Sequence, residues 1–580
     1  MGQIADRDGV GVDERRRRVY ALAVVLSVVA LALIARLGYI QVYEHARYVD
    51  QASAEHWRQL PLPPRRGDIV DAHDVPLATT VSFDTLYAST TEISDASTVA
   101  QELAPIINQS PTTLEALLGQ RQTAPTRIQA GLPADTADKI RQLQLSGIFL
   151  QPEPKRVYPQ GNLASQLLGV VGADDNGLSG LEQAFDGDLK GQPGSVVAER
   201  DTGGDAIAFG PTLTTPAQDG AKITLTIDRY VQWVAERELS AAIERQHASK
   251  GSVVVVDPRS GGLLAIASRP SFKLNDPDPY RPAAVTLYGL PAVSDPFEPG
   301  SAFLIFTFAA ALDLGEVGPR TTLYNQGYLD TGEGIVRDPG SRPPTVMSLD
   351  QILRSSSSVG AAWLAAKVGA RRYYPILQRF GFGEAPGLGL PGVSAGQLRL
   401  ATAVDWSDFD LPTNAMGDGL SVTAAQLAGA FAAIANGGAR PRLHVVESIA
   451  KPDSENAAAT PEAVAAIRPE TATALERMLV GTIDDESNPG HAAAVPGYAV
   501  AGIAGADSLL PTGGSSTSPT DVTFVGFAPA ENPRFVVLVH LSPPSAGGTV
   551  TAAPVFGTIA RQLLNYYQIP PSRSPPANGT

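Results

Sequence analysis

Hydrophobic positions along this 580-residue chain change rhythm three times. From Val19 to Ala35 the sequence VYALAVVLSVVALALIA carries no charge, and after Arg36 the apolar run LGYIQVY continues to Tyr43. A stretch of about 20 apolar residues is long enough to cross a bilayer, and an arginine near its end can extend its charged head to the interface. From Glu44 to about Gln218 short alternating runs mix with proline-rich turns, and Ser97 to Gln144 shows helical spacing. From Gly220 the rhythm becomes regular. The run KITLTI predicts a strand, and Tyr230 to Arg245 predicts a helix. GSVVVVD and GLLAIAS, separated by the turn Pro258 to Gly262, predict an antiparallel hairpin. Helical spacing dominates from Phe303 to Asn436. Strand patterns return in YAVAGIAG, DVTFVGFAPA and RFVVLVHLS, followed by the helix VFGTIARQLLNYY. Strands at both ends of a helical middle predict one α+β domain whose sheet is completed by the end of the chain. The organisation expected is a cytoplasmic tail (1–18), a membrane anchor (19–43), an elongated second region (44–218), a sheet-and-helix domain (219–569) and a disordered Pro/Ser-rich tail (570–580). Internal repeats are absent.

Charge sharpens the topology. Arg15 to Arg18 precede the apolar span, which predicts a cytoplasmic N-terminus and the bulk of the chain outside, as a single-pass plasma-membrane protein. No small-x-small cleavage site precedes a polar mature start, so the span is expected to remain as an anchor. The net charge of −15 argues against a nucleic-acid partner. The chain has no cysteine, which removes disulfides, thiolate metal sites and a cysteine nucleophile. Its seven histidines show no metal-binding spacing, so neither a metal nor a cofactor is expected. The segment Gly392-Val393-Ser394-Ala395-Gly396 matches G-x-S-x-G, but no strand-to-helix context surrounds it.

Several stretches, in order over nearly the whole chain, resemble class B penicillin-binding proteins. RRGDIVDAHDVPLA (Arg65 to Ala78), KRVYPQGNLASQLLG (Lys155 to Gly169) and GLSGLEQAFDGDLKGQPG (Gly177 to Gly194) resemble the motifs of the family's pedestal, or dimerisation-type, domain. FEPGSAFLIFTFAAAL, SSSSVGAAWLA, FGFG, GDGLSVTAAQLAGAFAAIANGG, GYAVAGIAG and FVGFAPAENPRFVVLV resemble the penicilloyl-serine transpeptidase domain. The resemblance implies a transmembrane helix, a pedestal, and a transpeptidase-like domain with an antiparallel sheet packed between helices. It also implies that Ser301 opens a helix and that Ile503 lies on a strand facing it.

Three catalytic motifs come with the resemblance, Ser-x-x-Lys, Ser-x-Asn and Lys-Thr-Gly. A lysine three residues after a serine lies one helical turn away and, when neutral, takes the serine proton. Here the first motif is Ser301-Ala302-Phe303-Leu304: the serine stands, and Leu304 replaces the base. The second motif places its serine on Ser356, with Ser358 in place of the asparagine. The third falls on Ile503-Ala504-Gly505, followed by Ala506 and Asp507, so the Lys-Thr pair is gone and Gly505 remains. The backbone N–H groups of Ser301 and Ala506 are the expected oxyanion donors. Val393 stands where family members usually carry an acidic residue. These replacements predict a member without transpeptidase turnover, acting as scaffold or regulator beside a polytopic peptidoglycan glycan polymerase and binding peptide stems weakly if at all. Two alternatives stay open: an active D,D-transpeptidase cross-linking peptidoglycan through Ser301, and a non-covalent muropeptide or β-lactam sensor. Elongation and division roles are not separated by the sequence.

Overall fold

In the computed structural model the described residues are 9–45, 47–48, 57–122, 124–172, 174–199, 212–275, 288–338, 343–451, 457–458, 463–506, 521–543 and 551–573. They form two compact units, residues 1–64 with 192–218, and residues 65–191 with 219–580. In the first unit a continuous helix, Gly9–Gly38, carries the apolar span, and Arg15–Tyr43 is long and apolar enough to cross a membrane. The same unit holds a three-stranded antiparallel sheet in the order Trp57–Leu62, Gly194–Glu199, Thr212–Thr215.

The second unit contains the pedestal motifs and the sheet-and-helix domain. Strand Ile69–Val70 pairs with Pro76–Ala88 on one side and lies parallel to Lys222–Leu225 on the other. Lys222–Leu225 in turn pairs with Val446–Ala450, so one sheet runs from the pedestal motifs into the C-terminal half of the chain.

The three pedestal stretches converge on a buried ion network. Arg66 is 1% exposed and Glu182 is fully buried. Arg66 Nε donates to Glu182 Oε2 at 2.7 Å, and Arg156 Nε donates to Glu182 Oε1 at 2.7 Å. Arg66 also meets Asp186 at 2.8 Å, and its remaining N–H groups reach the Asp175 and Glu182 carbonyls. Burial pulls the Arg66 guanidinium down, but the Glu182 charge and hydrogen bonds outweigh it and hold it above the ordinary arginine value. Buried charges persist only when paired in this way.

The C-terminal domain is built on a five-stranded antiparallel sheet. Its strands are β1 (Lys250–Val256), β2 (Leu263–Arg269), β3 (Ala501–Ala506), β4 (Val522–Ala528) and β5 (Phe535–Ser542). The spatial order is β2-β1-β5-β4-β3, so the hairpin at the start of the domain is joined by strands from its end, as the sequence pattern predicts. Period-two alternation sorts the side chains. Val253, Val255, Phe524, Val537 and Val539 pack beneath helices α1 (Arg229–Gln246) and α5 (Ala553–Tyr566). Val254, Ile266, Ile503, Val525 and Leu538 face α2 (Leu304–Asp313), α3 (Ser358–Val368) and α4 (Ala424–Ala435). The sheet is thus sandwiched between helices.

Two expectations need correction. The stretch read as helical from Phe303 to Asn436 contains four short strands, Thr322–Asn325, Tyr328–Asp330, Ile335–Arg337 and Thr345–Ser348, in two small antiparallel pairs. Their alternation is only three or four residues long, too short to register as period two in sequence. The tail expected to be disordered from residue 570 is ordered further: Arg573 N donates to the Gly497 carbonyl, and its guanidinium pairs with Asp484 at 2.7 Å. The remainder, 574–580, lies outside the described residues.

Candidate functional site

Ser301 sits in a tight 3₁₀ turn, Gly300–Phe303, that leads straight into α2. The resemblance implies a serine opening a helix; its first turn is 3₁₀, and the α-helical part begins at Leu304. The turn is fixed from both sides. Phe297 exchanges two backbone hydrogen bonds of 2.9 Å with Val422, and Gly300 N donates to the Gly417 carbonyl.

Strand β3 lies against this turn. A Cβ on Gly505 would come within 2.5 Å of the Pro299 carbonyl oxygen and 2.6 Å of the Ala302 Cβ. Only a glycine permits that approach, which is why the third motif ends in one. Ser301 Oγ donates to the Ala504 carbonyl at 3.3 Å. Ser301, Ile503, Ala504, Gly505 and Ala506 therefore share one wall of a cleft of about 960 Å³. Asp507 lies outside the described residues.

Leu304 does not reach the cleft lining. It is 2% exposed and belongs to the apolar core on the helical side of the sheet, together with Ile503 at 3%. The same core holds Phe303, Phe306, Phe380, Phe382 and Phe431, which pack ring to ring with centroids 4.9–5.5 Å apart. A leucine fits these surroundings; an unpaired ammonium would lose its hydration there.

The serine run divides into different roles. Ser356 lines the cleft, held at a positive φ of 48°. Ser357 is fully buried and caps α3, accepting from Gly360 N at 3.0 Å. Its hydroxyl donates to Asp338 Oδ1 at 2.9 Å, and Asn325 Nδ2 donates to Asp338 Oδ2 at 2.6 Å. Ser358 is the first residue of α3 and does not line the cleft. The structure thus brings Ser301, Ser356 and Gly505 to one cavity and leaves Ser358 and Leu304 outside its lining. Ser357 was hidden among identical neighbours; its signal is its place immediately before the helical run SVGAAWLAAKV. Gly392 to Gly396 forms a loop bound through Ser394 N to the Val293 carbonyl, with no nucleophile geometry.

Among the described residues the cleft lining holds two ionisable side chains, Arg354 and Asp485, 4.0 Å apart. Their charges cancel. Ser487, through its hydroxyl and backbone N–H, holds the Asp485 carboxyl below its ordinary value, assisted by Arg354. Asp485 is therefore a weak base.

Sequence reading also missed a polar row at the Ser301 end of the sheet. The register places Gly505 opposite Thr523, Thr523 opposite His540, His540 opposite Ser252 and Ser252 opposite Ser268. Thr523 lines the cleft, and its hydroxyl lies 3.1 Å from His540 Nδ1. The other ring nitrogen is 3.5 Å from Asp521, and the ring stacks on Phe297 at 3.9 Å. Burial pushes Asp521 up, but the hydrogen bond and charge of His540 bring it below the ordinary carboxylate value. The alternation Asp521-x-Thr523 on one strand and a lone histidine in VVLVHLS were the available signals; pairing register, which a sequence does not print, joins them.

Residues 251–563 match the family description "Penicillin binding protein transpeptidase domain", and residues 61–225 match "Penicillin-binding Protein dimerisation domain". The chain is 30% identical over 571 residues to stage V sporulation protein D of Bacillus subtilis, covering 96% of this chain and 87% of that protein. It is 30% identical over 572 residues to peptidoglycan D,D-transpeptidase FtsI of Escherichia coli, covering 95% and 92%. Among solved structures, penicillin-binding protein 3 of Mycobacterium tuberculosis in complex with aztreonam superposes with a TM-score of 0.69 at 26% identity, over 89% of this chain and 100% of that one.

Proposed function

Because the chain belongs to the class B penicillin-binding protein family, we propose that it serves peptidoglycan synthesis as a member without transpeptidase turnover, a scaffold or regulator of a polytopic glycan polymerase. One observation carries this reading. The Ser301 hydroxyl is turned to the Ala504 carbonyl, and the side chain one turn further on, Leu304, is an apolar core residue. A positioned general base contributes about a hundred- to ten-thousand-fold to proton transfer, and the serine has none of its own. Ile503 and Ala504 on the facing strand offer no cation to the carboxylate common to penicillins and peptide stems. Under this reading the anchor holds residues 1–18 in the cytoplasm and the bulk of the chain outside, where the pedestal meets the polymerase.

The test is intact-protein mass spectrometry of the full-length chain in detergent after long incubation with a penicillin. The expected result is little or no adduct. Stoichiometric acylation of Ser301 within minutes would overturn the reading. A reporter active only outside the cell, fused to the C-terminus, is expected to give signal, and a silent fusion would reverse the topology.

The alternative of an active D,D-transpeptidase has one observation on its side. Thr523, on the same cleft as Ser301, is linked to His540, which faces Asp521. A hydroxyl, an imidazole and a carboxylate in that order form a proton-transfer unit. On that alternative an adduct forms and is lost in His540→Gln while Ser301 remains. A reversible penicillin-binding signal in calorimetry without an adduct would select the sensor reading.

A further inference from the structure

A second cavity, of about 260 Å³, lies between the loop that follows helix Ala370–Arg379 and the short strand Ala439–Pro441 beyond α4. Arg440 and Arg442 both line it. Arg440 lies within that strand and Arg442 directly follows it. Neither guanidinium has an ion pair or a hydrogen bond among the described residues, and Arg440 Nε is fully buried without a partner. In charge Arg440 contrasts with Arg66 and Arg156, which share Glu182, although Arg156 Nη2 is likewise buried without a hydrogen-bond partner; Arg442 is exposed.

The cavity is shaped around these two groups. A Cβ on Gly381, where φ is +91°, would stand 2.1 Å from Arg440 Nη1. A Cβ on Gly387 would stand 3.4 Å from Arg442 Nη2. The glycine-bearing loop therefore leaves room for both guanidiniums. Gln426 closes the floor and is already committed: its Nε2 donates to the Glu384 and Ala395 carbonyls, and its Oε1 accepts from Thr423 N. Burial pulls the Arg440 guanidinium below the ordinary arginine value, and Glu384 only partly opposes this. The carboxyl end of helix Ala370–Arg379 supplies partial negative charge near Arg440 but accounts for one cation, not two. Counting Glu384 at the rim, the lining keeps one positive charge over, on a chain whose net charge is −15.

We propose that this cavity binds a small oxyanion, a carboxylate or phosphate group, through Arg440 and Arg442. A planar guanidinium presents paired N–H donors that match two oxygens of such a group, and the group returns charge and hydrogen bonds to both arginines. The site shares no residue with the Ser301 cleft, so it stands or falls independently of the scaffold reading.

Arginine-selective labelling with phenylglyoxal, read by peptide mass mapping on the full-length protein in detergent, tests this directly. Labelling is followed in chloride, in inorganic phosphate and in acetate at matched ionic strength, with exposed Arg121 as internal reference. Arg440 and Arg442 are expected to lose labelling rate saturably with at least one oxyanion, while Arg121 keeps its rate. Protection by phosphate alone assigns a phosphate group; protection by acetate assigns a carboxylate, such as a peptide's. In Arg440→Gln the protection of Arg442 is expected to disappear, with Arg440→Lys intermediate. Equal rates in all three salts, or equal protection of Arg121, overturns the proposal. Should Arg440→Gln fail to fold, the wild-type footprint alone decides.

Discussion

The pedestal core and the Ser301 cleft are both assembled from stretches that resemble the family, and they treat charge in opposite ways. In the pedestal two guanidiniums and a carboxylate are buried together, held by mutual hydrogen bonds. At the cleft, the positions where the family resemblance expects lysines hold Leu304 and Ile503, packed into the core. Charge buried to hold a fold can be compensated by fixed partners. A catalytic lysine instead needs a partner that changes during reaction, and in an apolar wall without one an aliphatic side chain is the more stable occupant. The contrast separates what positions the domain from what would carry out chemistry in it.

The largest effect is expected on the pedestal side. Glu182→Ala leaves Arg66 and Arg156 buried without their shared carboxylate, and is expected to cost about 3–5 kcal/mol. Calorimetric unfolding of the detergent-solubilised chain reads this as a large fall in the transition temperature; a fall of a degree or less would mean that water enters and solvates the arginines. Leu304→Lys puts a charge into the apolar core and is expected to cost about 2–4 kcal/mol, less than Glu182→Ala, which takes the shared carboxylate from two buried arginines and leaves Arg66 with Asp186 alone. It should not restore penicillin acylation by itself. The combination Leu304→Lys, Ser358→Asn, Ile503→Lys and Ala504→Thr is the variant in which an adduct is to be sought, by the same mass measurement.

Ser357→Ala separates fold from cleft more finely, since it removes a buried cap without touching the cleft lining. Loss of the cap and of one Asp338 hydrogen bond should cost about 1–3 kcal/mol by denaturant titration. An equal loss on Ser356→Ala would contradict the assignment of the two serines. The smallest effect is expected at the polar row. Asp521 is depressed in the folded state, so its contribution is complete above the unfolded carboxylate value of about 4 and is lost as pH falls through the lower folded value. The stability gap between wild type and Asp521→Asn should therefore hold steady above about pH 4 and narrow below it. At neutral pH the substitution should cost about 1 kcal/mol or less, because the pair is partly solvent-screened. Parallel acid unfolding curves for both proteins would remove Asp521 from the account.

Much of this molecule was legible in sequence because its signals are local. The hairpin β1–β2, the helix Arg229–Gln246 and the three C-terminal strands each announce themselves through period within one window. The wall formed by Ser301 and Gly505 was legible through resemblance, since the flanks PFEPG and GYAVAGIAG fix the alignment. What was not legible depends on pairing between distant strands. The row from Gly505 through His540 to Ser268 exists only once the register is known. The unmatched arginines 440 and 442 are likewise invisible, because a sequence shows a charge but not whether it has met a partner.

The order of strands in the central sheet also governs how the chain matures. Strand β1 pairs with β5, from which it is separated by nearly the whole length of the domain. Chains are made from the N-terminus, so for most of synthesis the β1–β2 hairpin offers an open edge with no mate, while all the helices from α2 to α4 are already present. Long-range pairings of this kind close slowly, because the loop entropy must be overcome before the contacts reward it. A chain interrupted between Arg269 and Phe535 therefore leaves a valine-rich edge, Val253 to Val256, exposed to pairing with its own copies. Premature termination late in the reading frame is consequently a route to aggregation, not to a smaller working protein, and folding of this domain waits on the arrival of its last strand.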